Sequence, residues 1–485
     1  MGAPGTVCAL LAALAVASSA PAGVAHPWDA TARGALDLVY DGDFHGAEAR
    51  LAVLAAEHPA DPVLPYLQAL ALEWRVEQDP GSRAHDPAVL SLADRSLSLT
   101  GASLADDPAD GRALLARGAA HGVKSRLHLY RWEKGPASRE AVRMREALGA
   151  ARAAGVGALD LDFGLGLYDY YADTLPRFFK VVAFVMRIPR GDRERGLAAI
   201  ARVARGGSLF HDDEARVQMY DIHYYFEGRP DRALHWIRAM WHRHPGWPLW
   251  GLKLAQLLGE PTGLWAESAA VARDILGTAD EGRHPNYQPV VAAMARVLLA
   301  EALLGDLRFE EACATAGEGG ADLPAGAWRA RAERARARCL EHERRAGSPE
   351  GRALALLAQA RRLRERGNEG RADATCLLAF QTFPASAEAR LCAAQESLRV
   401  GRPAAARALA GSVLEAEGKA ELRPFAHLLA AQASERKGER ADALRHYRRA
   451  WDEPLGRSAV RAEAKAAILR LEPGAALPDA PPLER

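Results

Sequence analysis

Toward its carboxyl end the chain repeats a three-point pattern: a glycine, a small residue five positions on, and an apolar or aromatic residue four further. It reads Gly367…Ala372…Cys376, then Gly401…Ala406…Ala410, then Gly438…Ala443…Tyr447, at intervals of 34 and 37 residues. An alanine precedes each glycine by seven residues, at Ala360, Ala394 and Ala431. A fixed period of this length marks one supersecondary unit per repeat, which buries its apolar face only by stacking on its neighbours. The composition says what that unit is made of. Of 63 basic residues only 7 are Lys, so Arg dominates; with abundant Ala and few β-branched residues, this predicts helices throughout. A net charge of +1 and 49% hydrophobic content exclude a disordered chain and remove the electrostatic case for nucleic-acid binding.

These residues resemble the tetratricopeptide repeat, in which small residues on two antiparallel helices and a glycine between them permit close approach. The same pattern recurs at Gly42-Asp43-Phe44…Ala47…Pro59 and at Gly228…Ala233…Pro245, more loosely at Phe309…Ala312, and at Gly191…Gly196 with Gly in place of Ala. The resemblance implies an all-α fold, a right-handed superhelix of helical hairpins. The central block, with Gly164-x-Gly166, a Leu-Pro step and Gly191-Asp192-Arg193, is similar to a stretch of tetratricopeptide proteins related to inclusion-body clearance. Its glycine pair lacks the third glycine and preceding strand of a dinucleotide site and is read as close helix packing. The predicted organisation is a signal peptide over 1–25, helical repeats over 26–155, central repeats over 156–260, a repeat array with a capping helix over 261–471, and a Pro-rich disordered tail over 472–485. Gly155–Gly157 marks a break between two arcs.

Val7–Ala17 is an apolar run of secretory length followed by small residues, which predicts export with cleavage after Ala22 or Ala25. The longest later apolar run, Phe178–Ile188, is too short to span a bilayer and is interrupted by Lys180 and Arg187. Cys313, Cys339, Cys376 and Cys392 lack metal-site spacing and are expected as buried thiols, with a Cys376–Cys392 bridge as the alternative.

Catalytic motifs are not evident. Asp160/Asp162, Asp169/Asp173 and His211-Asp212-Asp213-Glu214 bring carboxylates together, but the last reads as a helix N-terminus, where acids complement the dipole. His235 and His242 lie seven apart on one helix face without a carboxylate or cysteine at ligand spacing, so no metal and no cofactor is expected. Two surfaces are candidates for recognition. One is an aromatic pocket formed by Tyr220, Tyr224, Tyr225, Trp236 and Trp241, since Trp and Tyr dominate binding surfaces. The other comes from the resemblance, because tetratricopeptide ligands lie against first-helix positions that recur once per repeat. Here those positions form a ladder of Arg361, Arg364, Gln395, Arg399, Gln432 and Arg436 above a floor of Leu357, Leu391 and Leu428. The leucines stand where the family's carboxylate clamps place polar residues, so the ladder suits a peptide with apolar anchors and some acidic or backbone acceptors. The expected function is a non-catalytic scaffold or adaptor of the cell envelope that presents this surface to a protein or peptide. The alternative is an all-helical (α/α) enzyme acting on envelope polysaccharide.

Overall fold

The computed structural model describes residues 25–174, 189–259, 261–282, 284–317, 322–323, 325–416, 422–453 and 458–475. The apolar leader, the run Phe178–Ile188 and the tail beyond 475 lie outside them. Among the described residues there are 22 α-helices, one π turn and no strand. The chain packs as two units: residues up to Val39 with Asp43–Ala215, and Tyr40–Gly42 with everything from Arg216 onward.

The first unit holds α1 (Asp29–Tyr40), α2 (Phe44–Glu57), α3 (Val63–Gln78), α4 (Asp86–Asp106), α5 (Gly111–Tyr130), α6 (Lys134–Ala153), α7 (Leu159–Thr174) and α8 (Arg193–Ala204). Helix α9 (Asp212–Asp221) begins in the first unit and ends in the second, where it runs into a π turn, Ile222–Phe226. The second unit continues with α10 (Pro230–Arg243), α11 (Pro248–Leu258), α12 (Trp265–Asp280), α13 (Pro289–Gly305), α14 (Phe309–Gly317), α15 (Ala327–Arg345) and α16 (Pro349–Glu365). It ends with α17 (Glu369–Thr382), α18 (Ala387–Arg399), α19 (Pro403–Leu414), α20 (Arg423–Arg436), α21 (Arg440–Asp452) and α22 (Ser458–Leu471). No break falls at Gly155–Gly157: one core cluster joins Leu114, Met144 and Leu148 before it to Leu161 and Tyr168 after it.

The hairpins share one turn. Gly367, Gly401 and Gly438 all sit at φ 72–76°, and the amide after each donates to a carbonyl five residues back, as in Asn368 N–H to Leu363 O at 2.8 Å. This is the left-handed C-terminal cap that closes a helix and reverses the chain, and glycine adopts it without steric cost. The predicted Ala372, Ala406 and Ala443 are fully buried where the following helix meets its neighbour. Two turns use other residues. In α13/α14 the left-handed position is Leu307 (φ 61°), whose side chain packs on the core around Leu357 and Ala379. Gly305, two residues earlier, lies under the Trp265 ring, with no room for a Cβ. In α5/α6 the position is Trp132 (φ 60°).

The Gly-rich central block packs as expected. A Cβ on Gly196 would lie 2.6 Å from Tyr170 N and 2.7 Å from Gly166 O, so α7 and α8 cross backbone to backbone. At the carboxyl end α22 caps the array, burying Val460, Ala464 and Ile468 against Tyr447 and Trp451. Ala475 packs on the same cluster and Glu472 pairs with Arg448 at 2.5 Å, so the tail begins folded although its Pro-rich composition predicts disorder.

The four cysteines among the described residues form disulfides rather than free thiols. Cys313–Cys339 joins α14 to α15 across a Cα separation of 5.5 Å, and Cys376–Cys392 joins α17 to α18 across 5.3 Å. The Cys376–Cys392 pair is the bridge held as the alternative to free thiols, whereas Cys313–Cys339 was not anticipated, because pairing depends on which helices stack and not on spacing within one helix.

Candidate binding surface

The first-helix ladder lies on α16, α18 and α20, and its cations are engaged within the chain. Arg361 reaches Asp306 in the α13/α14 turn at 2.5 Å. Arg364 and Arg399 converge on the buried Asp373 of α17, at 3.1 and 2.6 Å. Arg399 also grips Glu396 at 2.9 Å. Arg436 donates to the Leu398 carbonyl, and Gln432 donates to Glu463 at 2.5 Å, while Gln395 is exposed. Arg364 further directs its guanidinium at Cys376 Sγ, 3.3 Å away. The cations of the ladder therefore help stitch successive hairpins together, since Arg361, Arg399 and Arg436 each reach an acceptor in the preceding hairpin. The leucine floor is corrected too: Leu357, Leu391 and Leu428 are all buried, because at these positions the first helix faces its own partner helix.

The aromatic cluster separates into two layers. On α10 an apolar stripe of Ala233, Leu234, Trp236, Ile237, Met240 and Trp241 is buried. Trp241 lies against Gly251 of α11, where a Cβ would be 2.9 Å from its ring. Trp236 and Trp241 are thus core rather than pocket wall. Tyr220 is also buried, its ring beneath Lys253 Nζ at 5.2 Å and stacked on Tyr224 at 5.8 Å. Its phenol is held well above its usual pKa, first by burial and then by neighbouring Tyr225 and Asp221. The outer layer is different. The π turn closes with Glu227 N–H donating to Ile222 O at 2.9 Å, and so places one more residue in the turn than an α-helix does. One extra residue rotates the positions after it by roughly 100° around the axis. Tyr225 and Phe226 consequently face solvent, 64% and 58% exposed, with Tyr224 tilted against Tyr225 at 4.8 Å.

The acids read as a helix start do more than cap. Asp212, the first residue of α9, accepts from Gly207 N and Ser208 N at 3.2 and 2.9 Å, and so fastens the preceding loop to the helix start. His211 and Glu214 turn inward. Buried Asp160 accepts from Leu209 N at 2.7 Å and Phe210 N at 2.9 Å and meets His211 Nδ1 at 2.6 Å, while His211 Nε2 meets the Tyr66 hydroxyl at 2.5 Å. Burial alone raises the Asp160 carboxyl, but these hydrogen bonds hold it below its usual range. Beside this chain Arg126 bridges Glu73, at 2.5 Å, and Glu214, which also accepts from Trp74 Nε1 at 3.1 Å. Two carboxylates share one guanidinium, and burial pushes Glu73 up to about 7. The Asp–His–Tyr order resembles a nucleophile relay, yet all three side chains are buried and burial drives the Tyr66 phenol well above its ordinary pKa. A phenol so held is a poor base or nucleophile, and the cluster serves to tie α3, α5, α7 and α9 together. Sequence reasoning does not single out Tyr66, Glu73 or Arg126; the signal available was an acid, Glu73, inside the apolar face of α3.

No family model matches the chain, and no curated protein does. Among solved structures, similar chains are found in the complex of Naa15/Naa10 bound to HypK-THB (14% identity, 91% of this chain and 79% of that one, TM-score 0.20). Others are yeast Tom70 (11%, 90% and 87%, TM-score 0.24) and the Cut9–Hcn1 hetero-tetramer of the APC/C (12%, 90% and 88%, TM-score 0.24). At such scores these likenesses carry no argument. The tetratricopeptide-like hairpin fold rests on the chain's own recurring left-handed turns and buried alanines.

Proposed function

We propose that this chain is a non-catalytic exported scaffold, of the type seen in bacterial envelopes, that binds a protein or peptide partner. The observation that carries the reading is the outer aromatic layer. Tyr225 and Phe226 present large apolar side chains to water from a π turn, a device that recurs where a helix must aim residues at a ligand. The ladder on α16, α18 and α20 is the lesser surface, since a ligand's acids would have to displace Asp306, Asp373 and Glu396. Export is supported by the apolar leader and by two disulfides, which persist in oxidising compartments. The likeness of the central block to inclusion-body-clearance proteins suggests a role in handling other proteins.

The test is affinity capture from envelope extract with Tyr225→Ser/Phe226→Ser, compared with Gln395→Ala/Gln432→Ala. The aromatic variant is expected to lose the captured partner while the ladder variant keeps it. The reverse result moves the site to the first-helix face, and capture unaffected by both overturns the assignment of either surface.

A further inference from the structure

Where the chain enters α1, a buried charge cluster is one cation short. Arg112 of α5 donates from Nη2 to Asp29 Oδ1 at 2.9 Å and to Asp61 Oδ2 at 2.8 Å, and from Nε to Asp61 Oδ2 at 3.0 Å. All three side chains are buried, at 5–8% exposed. Among the described residues no other cation pairs with either carboxylate, so two acids share one guanidinium and a negative charge is left in excess. Asp110, which accepts from the Arg112 backbone N–H at 3.0 Å, adds another beside it. Burying a charge without a full counter-ion is costly. The other donor to the Asp29 carboxylate is the backbone nitrogen of His26, 2.7 Å from Oδ2. His26 is held in place by its ring, tilted on Trp28 at 4.2 Å, and Trp28 is stacked on His58 at 3.9 Å with the Arg112 guanidinium 5.6 Å from its own ring. A peptide N–H at this position supplies a dipole but no charge.

We propose that the chain is processed between Ala25 and His26, and that the α-ammonium created at His26 is the missing cation of this cluster. The step is hydrolysis by a protease that removes export leaders. Water adds to the Ala25 carbonyl, the C–N bond breaks, Ala25 leaves as a carboxylate and His26 as an amine. That amine is protonated at neutral pH, its ordinary pKa being about 7.7–8.0. Both predicted cuts satisfy the small-residue rule, Ala20 and Ala22 for one, Gly23 and Ala25 for the other. What separates them is where the new charge falls. A cut after Ala22 puts the ammonium on Gly23 and leaves His26 N a neutral amide. A cut after Ala25 puts it on the atom already within hydrogen-bond reach of Asp29, where a bond between two ionised groups is the stronger kind. The inference rests on the export reading above.

N-terminal sequencing of the protein recovered from the envelope fraction is expected to read His26-Pro27-Trp28. A start at Gly23, or at any other residue after Met1, overturns the inference and leaves export standing, whereas an intact leader on a cytoplasmic chain overturns the export reading with it. Melting tests the role of the charge. Chains released from a cleavable fusion so that they begin at His26 or at Gly23 are compared by calorimetry, with and without Asp29→Asn. The chain beginning at His26 is expected to melt higher by roughly 2–4 °C in its first unit, and Asp29→Asn to abolish the difference. Equal melting of the two unsubstituted chains overturns the pairing, and that comparison stands whether or not the variant folds. A difference that persists in Asp29→Asn overturns it as well, since the gain would then come from another contact.

Discussion

Gly196→Ala and Gly149→Ala add the same methyl group to two helices of the first unit, and the structure predicts opposite signs. At Gly196 the new Cβ would stand 2.6 Å from Tyr170 N and 2.7 Å from Gly166 O. Both are backbone atoms, so no rotamer change relieves the contact and α7 must move from α8. Overpacking of this kind costs about 3 kcal/mol, and the better helix propensity of Ala returns about 1, leaving a net loss of about 2 kcal/mol. At Gly149, exposed on α6 with nothing within 4 Å, only the propensity gain of about 1 kcal/mol remains. For a unit of this size each kcal/mol moves Tm by roughly 2–4 °C, so Gly196→Ala should melt roughly 4–8 °C lower and Gly149→Ala roughly 2–4 °C higher. Differential scanning calorimetry, fitted for the first transition to change, reads both. Shifts of the same sign would refute the backbone crossing.

Three further outcomes are expected. Glu73 is raised from an unfolded value of 4.5 to about 7, so wild-type stability is lost as pH rises through that window. Glu73→Gln should flatten the dependence and add on the order of 2 kcal/mol at pH 8, read by urea unfolding across pH. His427 behaves oppositely: burial and then the nearby His446, at 3.0 Å, lower it to about 4, so its contribution is complete above pH 6.5 and disappears as pH falls toward 4. His427→Leu should make unfolding of the last hairpins less pH-dependent in that range. Reduction of the two disulfides should destabilise the second unit by about 3 kcal/mol per bridge, with little effect on the first, seen as one transition shifting in the reduced protein.

What was legible in the sequence was whatever depends on residue size at a fixed period. Gly367, Gly401, Gly438, Ala372, Ala406 and Ala443 announce their turns and close contacts because only small residues fit there. Turns that break the rule were not legible: Leu307 takes the left-handed place in the α13/α14 turn, while nearby Gly305 makes room for Trp265. The ladder's cations could be placed on one periodic face, but several of their acceptors, such as Asp306 for Arg361 and Asp373 for Arg399, lie in the preceding hairpin, and a periodic reading sees each helix face without its neighbour. The aromatic cluster was located as a group, and its division into core and surface depended on a π turn that no composition signals. The Asp160–His211–Tyr66 contact joins three segments far apart in sequence, so only His211 and Asp160 drew notice, and separately.

The most direct test of the binding-scaffold account places a photo-crosslinking amino acid at position 225 and, in separate chains, at the similarly exposed Leu340 and Leu378. After irradiation of intact cells, position 225 should yield one discrete adduct with another protein in the envelope fraction, and positions 340 and 378 none. No adduct from 225, or the same adducts from all three positions, would contradict a scaffold that works through its aromatic edge.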